Sequence, residues 1–358
     1  MKAKNVIGSW QGIAQTCALA AALVLAASGS AAAQEREKLN IKEVVFEHIA
    51  DAYQWHILTV RGHDAAIPLP IIVRSARGSW HVFLSSRLEN GGAYKGFSIA
   101  HDGGYKGKVV EANEAGQAMR PSVDISLTKN ALALLISCVV LLLVIMPLAN
   151  WYRRGNTKPA KGFRGAVELL LINIYDEVIK PCVGEDYKRF APYLLTAFFF
   201  IFVNNLLGLV PIFPGGANVT GNIAVTMVLA ICTFLAVNFS GTKEYWREVL
   251  WSDVPMWLKV PVPLMPVIEI FGVFTKPFAL MVRLFANIMA GHSVILGLIC
   301  LIFITAVMGA AANAGMSAMA IVFVCFMNLV ELLVAYVQAY VFTLLSAVFI
   351  GMARVKHV

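Results

Sequence analysis

The sequence predicts an all-α polytopic membrane protein with five membrane-embedded helices, the last two of which form a long tilted hairpin. We expect in addition one interfacial helix and a small N-terminal α+β domain that is exported. Apolar residues make up 59% of the 358 residues and charged residues only 14%, whereas about a quarter of the residues of soluble proteins are charged. The apolar residues cluster into runs of about twenty, the length that crosses a bilayer. Basic residues gather in polar loops between these runs, as they do on the cytoplasmic side of membrane proteins.

Residues 1–33 are typical of a secretory signal peptide. They combine a basic start, a short apolar core and small residues for cleavage, at Lys2 and Lys4, 17–27 and 30–33. Because the apolar core is too short to span a bilayer comfortably, we expect cleavage after Ala33. The alternative is that the segment is retained as a first helix.

Residues 34–128 are predicted to form the exported domain. Segments 55–61, 70–75 and 79–86 alternate apolar and polar residues, as half-buried strands do, and 44–53 is compatible with a short helix. The domain has no cysteine, so packing alone must stabilise it. Solvated or strand-facing side chains are the favoured interpretation of its five histidines over a metal site, and we predict neither a metal nor a cofactor. The histidines are His48, His56, His63, His81 and His101.

The first apolar span is expected at 130–150, and five basic residues without an acid follow it. Such a loop lies in the cytoplasm, in agreement with a signal peptide that sends the preceding domain outside. Segment 163–180 is amphipathic and contains Glu168, Asp176 and Glu177. We therefore interpret it as an interfacial helix. A soluble helix packed on a neighbour is the alternative.

The remaining spans are expected at about 193–210, 223–239, 261–305 and 318–350, so that residues 129–358 form the membrane domain. Successive spans cross the membrane in opposite directions. The turn at 211–222 is therefore expected outside, and the basic loop at 240–259 and the basic C-terminus are expected in the cytoplasm. The last two apolar stretches exceed the roughly twenty residues of a perpendicular span, and a short turn at 308–318 joins them. This predicts a strongly tilted hairpin.

Arg283 is the most costly residue of this hairpin. It is flanked by apolar residues, and no acid lies within one helical turn of it. An arginine at the centre of a membrane helix costs from about 3 to more than about 10 kcal/mol, and its guanidinium stays charged. We therefore expect Arg283 to serve a function.

The polar residues of the two helices match in depth. If the hairpin turns near 310–311, Arg283 falls at about the depth of Gln338, and His292 falls opposite Glu331. A random scatter of polar residues would rarely give two such matches. The register therefore predicts that these residues act together.

Two polar zones flank the fixed cation. Asn287 lies one turn from Arg283, Glu269 lies about four turns before it, and the His292 and Glu331 zone lies on the other side. Carboxyl and imidazole groups can exchange protons near neutral pH, while a permanent arginine repels a proton that would pass directly. The pattern describes half of a proton pathway, with the moving carboxylate missing from this chain. An internal Arg–Glu pair that only holds two helices together is the alternative.

Three motifs resemble the membrane-embedded subunit a of rotary F-type ATP synthases. They are MVRLFANIMAGH with Glu269 fourteen residues before Arg283, NLVELLVAYVQAYVFTLLSAVFI at 328–350, and NNLLGLVP at 204–211. The similarity covers roughly residues 130–358. It does not extend to the signal sequence and the exported domain, which are not general features of that family, and Gly208 stands where some members carry an acid.

The resemblance implies a role for each matched residue. Arg283 would face the carboxylates of the rotating c-ring, with Asn287 and Gln338 as polar neighbours. In the same family, residues at the positions of His292 and Glu331 line the outer half-channel. Asn205 matches a polar residue of that outer half-channel, and Glu269 matches an acid of the cytoplasm-side half-channel.

The predicted function is that of a proton-translocating stator subunit, which is not an enzyme by itself. The resemblance implies c-ring proteolipids, b-type peripheral stalk subunits and other ATP synthase subunits as partners, within the bilayer of the cell inner membrane. The net charge of +8 lies mainly in loops between spans and does not indicate nucleic acid. A self-contained secondary transporter is the alternative, but no internal repeat supports it. A receptor that senses through residues 34–128 would leave Arg283 unexplained.

Overall fold

A computed structural model of the chain describes residues 51–60, 63–76, 78–100, 104–112, 118–156, 158–210, 215–250, 264–305 and 310–354. The predicted signal peptide and residues 44–50 of the predicted short helix lie outside the described residues, and residues 51–53 are not helical. We call residues 51–128 the strand region, because its described part contains short strands and one 3-10 helix at Ser85–Gly91.

The strand region contains three small antiparallel sheets in its described part. In the first, β1 (Gln54–Val60) pairs with β2 (His63–Pro68). In the second, β3 (Pro70–Arg74) lies between β4 (Trp80–Leu84) and β8 (Val123–Asp124). In the third, β6 (Val109–Ala112) lies between β5 (Phe97–Ile99) and β7 (Ala118–Met119). The strands expected at 55–61, 70–75 and 79–86 are therefore present as β1, β3 and β4.

The core of the strand region follows the alternation of its strands. Ile71 and Val73, two residues apart on β3, are fully buried, because side chains two apart on a strand point to the same face. They pack with Tyr53, Phe83, Leu88, Phe97 and Val109. Ile71 and Val73 thus form the buried face of β3.

Eight α-helices lie in the described part of the chain. They are α1 (Lys129–Arg153), α2 (Phe163–Asn173), α3 (Lys180–Val183), α4 (Tyr187–Leu209), α5 (Ile223–Ser240), α6 (Lys243–Leu250), α7 (Leu264–Thr305) and α8 (Ala310–Arg354). Five helical stretches are long and apolar enough to cross a membrane: Lys129–Arg153, Phe163–Leu209, Ile223–Ser240, Val267–Thr305 and Asn313–Arg354. The predicted fold class, mostly helical with five membrane-spanning helices and a small N-terminal strand region, is confirmed.

The stretch from α2 to α4 is almost continuously helical. A π-helical turn at Ile174–Ile179 follows α2, and a 3-10 turn at Gly184–Asp186 separates α3 from α4. Gly184 has φ of 78°, a left-handed conformation that glycine adopts without strain and that commonly ends helices. The amphipathic segment, which was expected at 163–180, therefore ends at Gly184, and the next helix begins at Tyr187 rather than at the expected 193.

Helix α8 begins at Ala310, eight residues before the expected start at 318. The segment expected as a turn is rich in alanine, which has the highest helix propensity, and its isolated glycine lowers helix stability by only about 1 kcal/mol. Only residues 306–309 therefore separate α7 from α8, and they lie outside the described residues.

Glu168 is placed differently from the expectation that it lies on the polar face of an interfacial helix. It is buried and accepts hydrogen bonds from the Tyr152 hydroxyl and, at 2.8 Å, from the backbone N–H of Ala160. The carboxylate thus joins α2 to the end of α1 and to the loop between them. Asp176 and Glu177 of the same segment are exposed.

The chain divides into two compact units. One contains, of the described residues, 290–305 and 310–333; the other contains the strand region, α1–α6, α7 up to Met289 and α8 from Val334. The core of the second unit is built mainly from α2 to α4, the middle of α7 and the end of α8. Its fully buried members include Ile174, Val178, Ile179, Leu194, Phe198, Ile201, Ala339, Ala347 and Ile350.

The end of α8 is anchored by close packing and by one arginine. A Cβ atom at Gly351 would overlap the carbonyl oxygen of Cys182, so only glycine allows this approach. Arg354 donates twice to the Asp186 carboxylate, from Nε at 2.8 Å and from Nη2, and once to the carbonyl of Ser240 at 3.2 Å. These contacts lock the last turn of α8 to the region around α3.

Candidate functional site

Arg283 lies on α7 beside the buried face of the helix. That face consists of Leu280, Leu284 and Ile288, which share one side because they are four residues apart. Arg283 and Asn287 are exposed. Within the described residues Arg283 has neither a hydrogen bond nor an ion pair, so its charge is not neutralised by the part of this chain that the structure describes.

Gln338 lies on α8 in the same compact unit as Arg283 and Asn287. Its side chain is buried, with 7% of its surface exposed. The described residues contain no hydrogen bond between any two of these three side chains. The structure thus places Gln338 inside the protein and leaves Arg283 and Asn287 on the outside.

His292 and Glu331 form a direct pair in the other compact unit. The Nδ1 atom of His292 lies 2.8 Å from Oε1 of Glu331. The Glu331 side chain is buried, and beyond this contact neither of its oxygens is hydrogen-bonded in the described part of the chain. A buried carboxylate with a single partner depends strongly on that partner, so the loss of His292 would leave Glu331 without a partner among the described residues.

Gly291 makes room for this pair. A Cβ atom added at Gly291 would lie 3.0 Å from Oε1 of Glu331, closer than an ordinary van der Waals contact. The absence of a side chain therefore lets the carboxylate lie against the backbone of α7, next to His292. This role of Gly291 was missed from the sequence, because a single glycine in an apolar helix carries no further signal.

Asn205 is buried on α4, and both ends of its amide are in use. Its Nδ2 donates to the carbonyl of Ala335 on α8 at 3.1 Å, and its Oδ1 accepts from the hydroxyl of Thr220 at 2.7 Å. Asn205 therefore ties α4 to α8 and to the loop at 215–222. Thr220 was missed because its segment has the composition of an ordinary glycine-rich turn.

Glu269 lies on α7 near Tyr245 of α6. Burial raises the pKa of the Tyr245 hydroxyl, and the negative charge of Glu269 raises that pKa further. Glu269 has no hydrogen bond or ion pair within the described residues and is partly exposed. On the same helix, the ammonium of Lys276 lies 5.7 Å from the ring centre of Phe349, so this cation is held by an aromatic face.

The described residues contain no group of three histidine, cysteine, aspartate or glutamate side chains that could hold a metal ion. His48 and His101, two of the five histidines of the predicted exported domain, lie outside the described residues.

A family model described as ATP synthase A chain matches residues 131–351, more than half of the chain. The chain belongs to the ATP synthase A chain family. The resemblance that three motifs predicted is thereby confirmed, and all seven predicted site residues lie inside the matched segment. A second family model, described as a domain of unknown function (DUF8433), matches residues 44–131. An ATP synthase A chain segment is thus joined here to a further domain that has no assigned function.

Relatives of known name support the same family. The chain is 43% identical to ATP synthase subunit a of Chloroherpeton thalassium over 236 residues, which cover 64% of this chain and 67% of the relative. It is 42% identical to ATP synthase subunit a 2 of Chlorobaculum tepidum over 240 residues, which cover 64% of each protein. The chain therefore spans about two thirds of the length of these two relatives.

A third relative extends into the strand region. ATP synthase subunit a of Anaeromyxobacter sp. (strain Fw109-5) is 35% identical over 344 residues, which cover 92% of this chain and 74% of the relative. The combination of an ATP synthase A chain with the preceding domain therefore occurs beyond this chain. Membership of this family and the five apolar helices together identify a multi-pass membrane protein.

Proposed function

We propose that the chain is the proton-translocating stator subunit of an F-type ATP synthase, which provides two aqueous half-channels and an arginine that faces the rotating c-ring. It performs no catalysis by itself and couples proton flow to ATP synthesis in the complex. The observation that carries this proposal is the exposure of Arg283, without a partner in the described part of the chain, in the middle of a long apolar helix.

The surroundings of Arg283 favour a counter-charge on another chain. A guanidinium in contact with lipid costs several kcal/mol, and such a residue is retained where its charge faces protein or water. Exposed aromatic side chains lie on the same helix at Phe271, Phe274 and Phe278, so this part of α7 offers an apolar surface to a neighbour. A ring of c subunits with membrane-embedded carboxylates would satisfy both the charge and the apolar surface.

His292 and Glu331 are proposed to form the entrance from the outer side. Their 2.8 Å contact allows one proton to pass between imidazole and carboxylate, and histidine changes its charge near physiological pH. A proton that arrives from outside would be received by this pair and delivered to a c-ring carboxylate. The neutralised carboxylate can then enter the lipid.

Glu269 is proposed to serve the exit on the cytoplasmic side. It is partly exposed and lies near Tyr245, so its carboxylate is available to accept a released proton. Arg283 separates the two sides, because a fixed positive charge repels a proton and favours the ionised form of the returning carboxylate. Each charge that crosses releases about 2.3 kcal/mol per 100 mV, so several protons are needed for each ATP.

The proposal includes the orientation and the partners. The signal peptide at 1–33 and the exported domain at 34–128 would precede the membrane domain at 129–358, with the exported domain outside the inner membrane and the C-terminus in the cytoplasm. The c-ring proteolipids, b-type peripheral stalk subunits and other ATP synthase subunits would be the partners. Asn287 and Gln338 would act as polar neighbours of Arg283.

The proposal is tested by replacing Arg283. Arg283→Ala is expected to abolish ATP-driven proton pumping in inverted membrane vesicles, while the complex still assembles. Arg247→Ala on α6, which removes another exposed arginine, serves as the matched control and should leave pumping unchanged. Normal coupled pumping by Arg283→Ala, measured by quenching of a pH-sensitive dye, would refute the mechanism.

A further inference from the structure

The strand region is joined rigidly to the first membrane helix. The backbone N–H of Lys129 donates to the carbonyl of Ala52 at 2.8 Å, and the N–H of Asn130 donates to the carboxylate of Asp51 at 3.1 Å. Thr128 caps the same helix end through its hydroxyl. These bonds satisfy N–H groups that a helix start leaves free, and they leave no flexible linker between the strand region and α1.

Trp55 of β1 packs against the loop at 215–222 as well as against α1. It is 3% exposed and packs with Ala133 of α1 and with Ala217 and Val219 of the loop at 215–222. A buried tryptophan contributes a large apolar contact area. The strand region therefore covers this loop as well as the start of α1.

The loop at 215–222 is itself tightly built. The side chain of Asn218 accepts a hydrogen bond from the N–H of Gly221 at 2.8 Å, and a Cβ atom at Gly221 would overlap that side chain. The N–H of Gly216 donates to the carbonyl of Leu207 at 3.2 Å, at the end of α4. A displacement of Ala217 and Val219 would therefore move the whole loop.

Two hydrogen bonds connect the loop at 215–222 to α8 through Asn205. Thr220, which is 1% exposed, donates to Asn205, and Asn205 donates to the carbonyl of Ala335. Ala335 follows Glu331 by four residues, one turn of the same helix. The bonds of Thr220 and Asn205 thus hold α8 one turn from the carboxylate that is proposed to receive protons.

We propose that the strand region is a brace for the outer half of the proton path, and that Trp55 is a positioning residue that acts through Thr220 and Asn205 on α8. This inference rests on the proposed function, since it assigns the domain of unknown function a part in proton translocation by the same chain. It predicts that Trp55, which is remote in sequence from every proton-carrying residue, controls the rate of pumping.

The test compares Trp55→Ala and Trp55→Phe in inverted vesicles of the whole complex. Trp55→Ala is expected to lower ATP-driven pumping per assembled complex about tenfold, which corresponds to about 1.4 kcal/mol. Trp55→Phe, which keeps an aromatic ring on the loop, is expected to restore most of the rate. Trp80→Ala is the matched control, because Trp80 belongs to the same region and is 54% exposed.

A double substitution separates positioning from general stability. Thr220→Val removes the hydroxyl that bonds to Asn205 and keeps the shape of the side chain. If Trp55 acts through Thr220, the variant with both Trp55→Ala and Thr220→Val should pump no more slowly than the slower single variant, since coupled residues are not additive. Independent losses that multiply would overturn the proposal.

Each of the remaining outcomes also supports or overturns the proposal. If Trp55→Ala prevents assembly, Thr220→Val alone decides: slower pumping supports the brace and wild-type pumping overturns it. If Arg283→Ala is inactive while Trp55→Ala pumps normally, the brace fails and the proposed function stands. If Arg283→Ala pumps normally, the proposed function fails and the brace fails with it.

Discussion

Arg354 and Arg283 are both arginines of long apolar helices, yet the fold treats them in opposite ways. Arg354 makes three hydrogen bonds, two to Asp186 and one to the carbonyl of Ser240, at the point where Gly351 packs on the backbone of Cys182. Arg283 is exposed and unpaired within the described residues. The fold can satisfy a guanidinium where structure requires it, so the lack of a partner at Arg283 indicates a charge kept for another chain.

In its number of partners, the pair of His292 and Glu331 is intermediate between Arg354 and Arg283. Its carboxylate is buried as a structural group would be, but it has one described partner rather than several. A charged group that is held by several hydrogen bonds is fixed rigidly in place, whereas the position of a group with one partner depends on that partner alone. The number of bonds on each charged group thus separates structural from functional roles, and three predictions test this separation.

The largest effect on stability is expected for Arg354→Ala. Loss of its three hydrogen bonds should lower the free energy of unfolding by about 1–2 kcal/mol, a value reduced by the partial exposure of Asp186. The midpoint of thermal unfolding of the purified complex should fall, while pumping per assembled complex stays at the wild-type level. Arg153→Ala, at the exposed end of α1, is the control. An Arg354→Ala variant that is fully stable but inactive would break the distinction between the two arginines.

Gly291→Ala is expected to act on pumping rather than on stability. The added methyl would push the Glu331 carboxylate by a few tenths of an ångström from its place beside His292. Because a misplacement of about 1 Å can lower a rate about 100-fold, we expect this smaller shift to lower the pumping rate by less than that. Gly297→Ala is the matched control, because a Cβ atom there meets nothing within 4 Å. Equal pumping rates for the two variants would show that the close approach at Gly291 has no functional importance.

The smallest effect concerns Asp124 of the strand region, a structural charge. Burial opposes the ionised form, but hydrogen bonds from Ser126 and Tyr53 and the charge of Arg120 outweigh it and lower the pKa of Asp124 below its usual value. A lowered folded-state pKa means that the carboxylate stabilises the protein above the usual value of about 3.9 and loses this contribution as the pH falls through the folded-state pKa. Asp124→Asn should therefore cost less than about 1 kcal/mol at pH 7.

The thermal unfolding of wild type and Asp124→Asn, compared at pH 7 and below pH 4, checks this prediction. The difference in unfolding midpoint should shrink as the pH falls, and Asp124→Asn should leave pumping at pH 7 unchanged. A difference that grows on acidification would contradict the assigned sign.

Local pattern in the sequence predicted the membrane spans and three of the strands. Apolar runs predicted the five spans, and alternation predicted β1, β3 and β4, because burial of a helix or strand follows a period that is visible in the sequence. The start of α8 was predicted too late because small residues were interpreted as a turn. The alanines of that segment favour helix.

Apart from His292 and Glu331, the partners of the buried polar groups could not be predicted from such patterns. The residues that bond Glu168 come from a preceding helix end and loop, and the Asn205 amide is shared between Thr220 and Ala335. A sequence shows that a polar group is buried in an apolar run, but it does not show which distant group completes its hydrogen bonds. Asn205 was therefore assigned a place in a channel from the resemblance alone, with no indication of its link to the loop.

The sequence by itself determined the spans, the motif around Arg283 and the family of the chain, since these depend on residue order and local periodicity. The register of the hairpin also predicted that His292 lies opposite Glu331. Only the tertiary structure decided that Gly291 makes room for the contact of these two residues and that Trp55 lies on the loop that leads to Asn205. The physical reason is that hydrophobic burial is nondirectional and tolerates many partners, whereas a hydrogen bond requires particular atoms within about 3 Å. Those distances exist only after distant segments have packed.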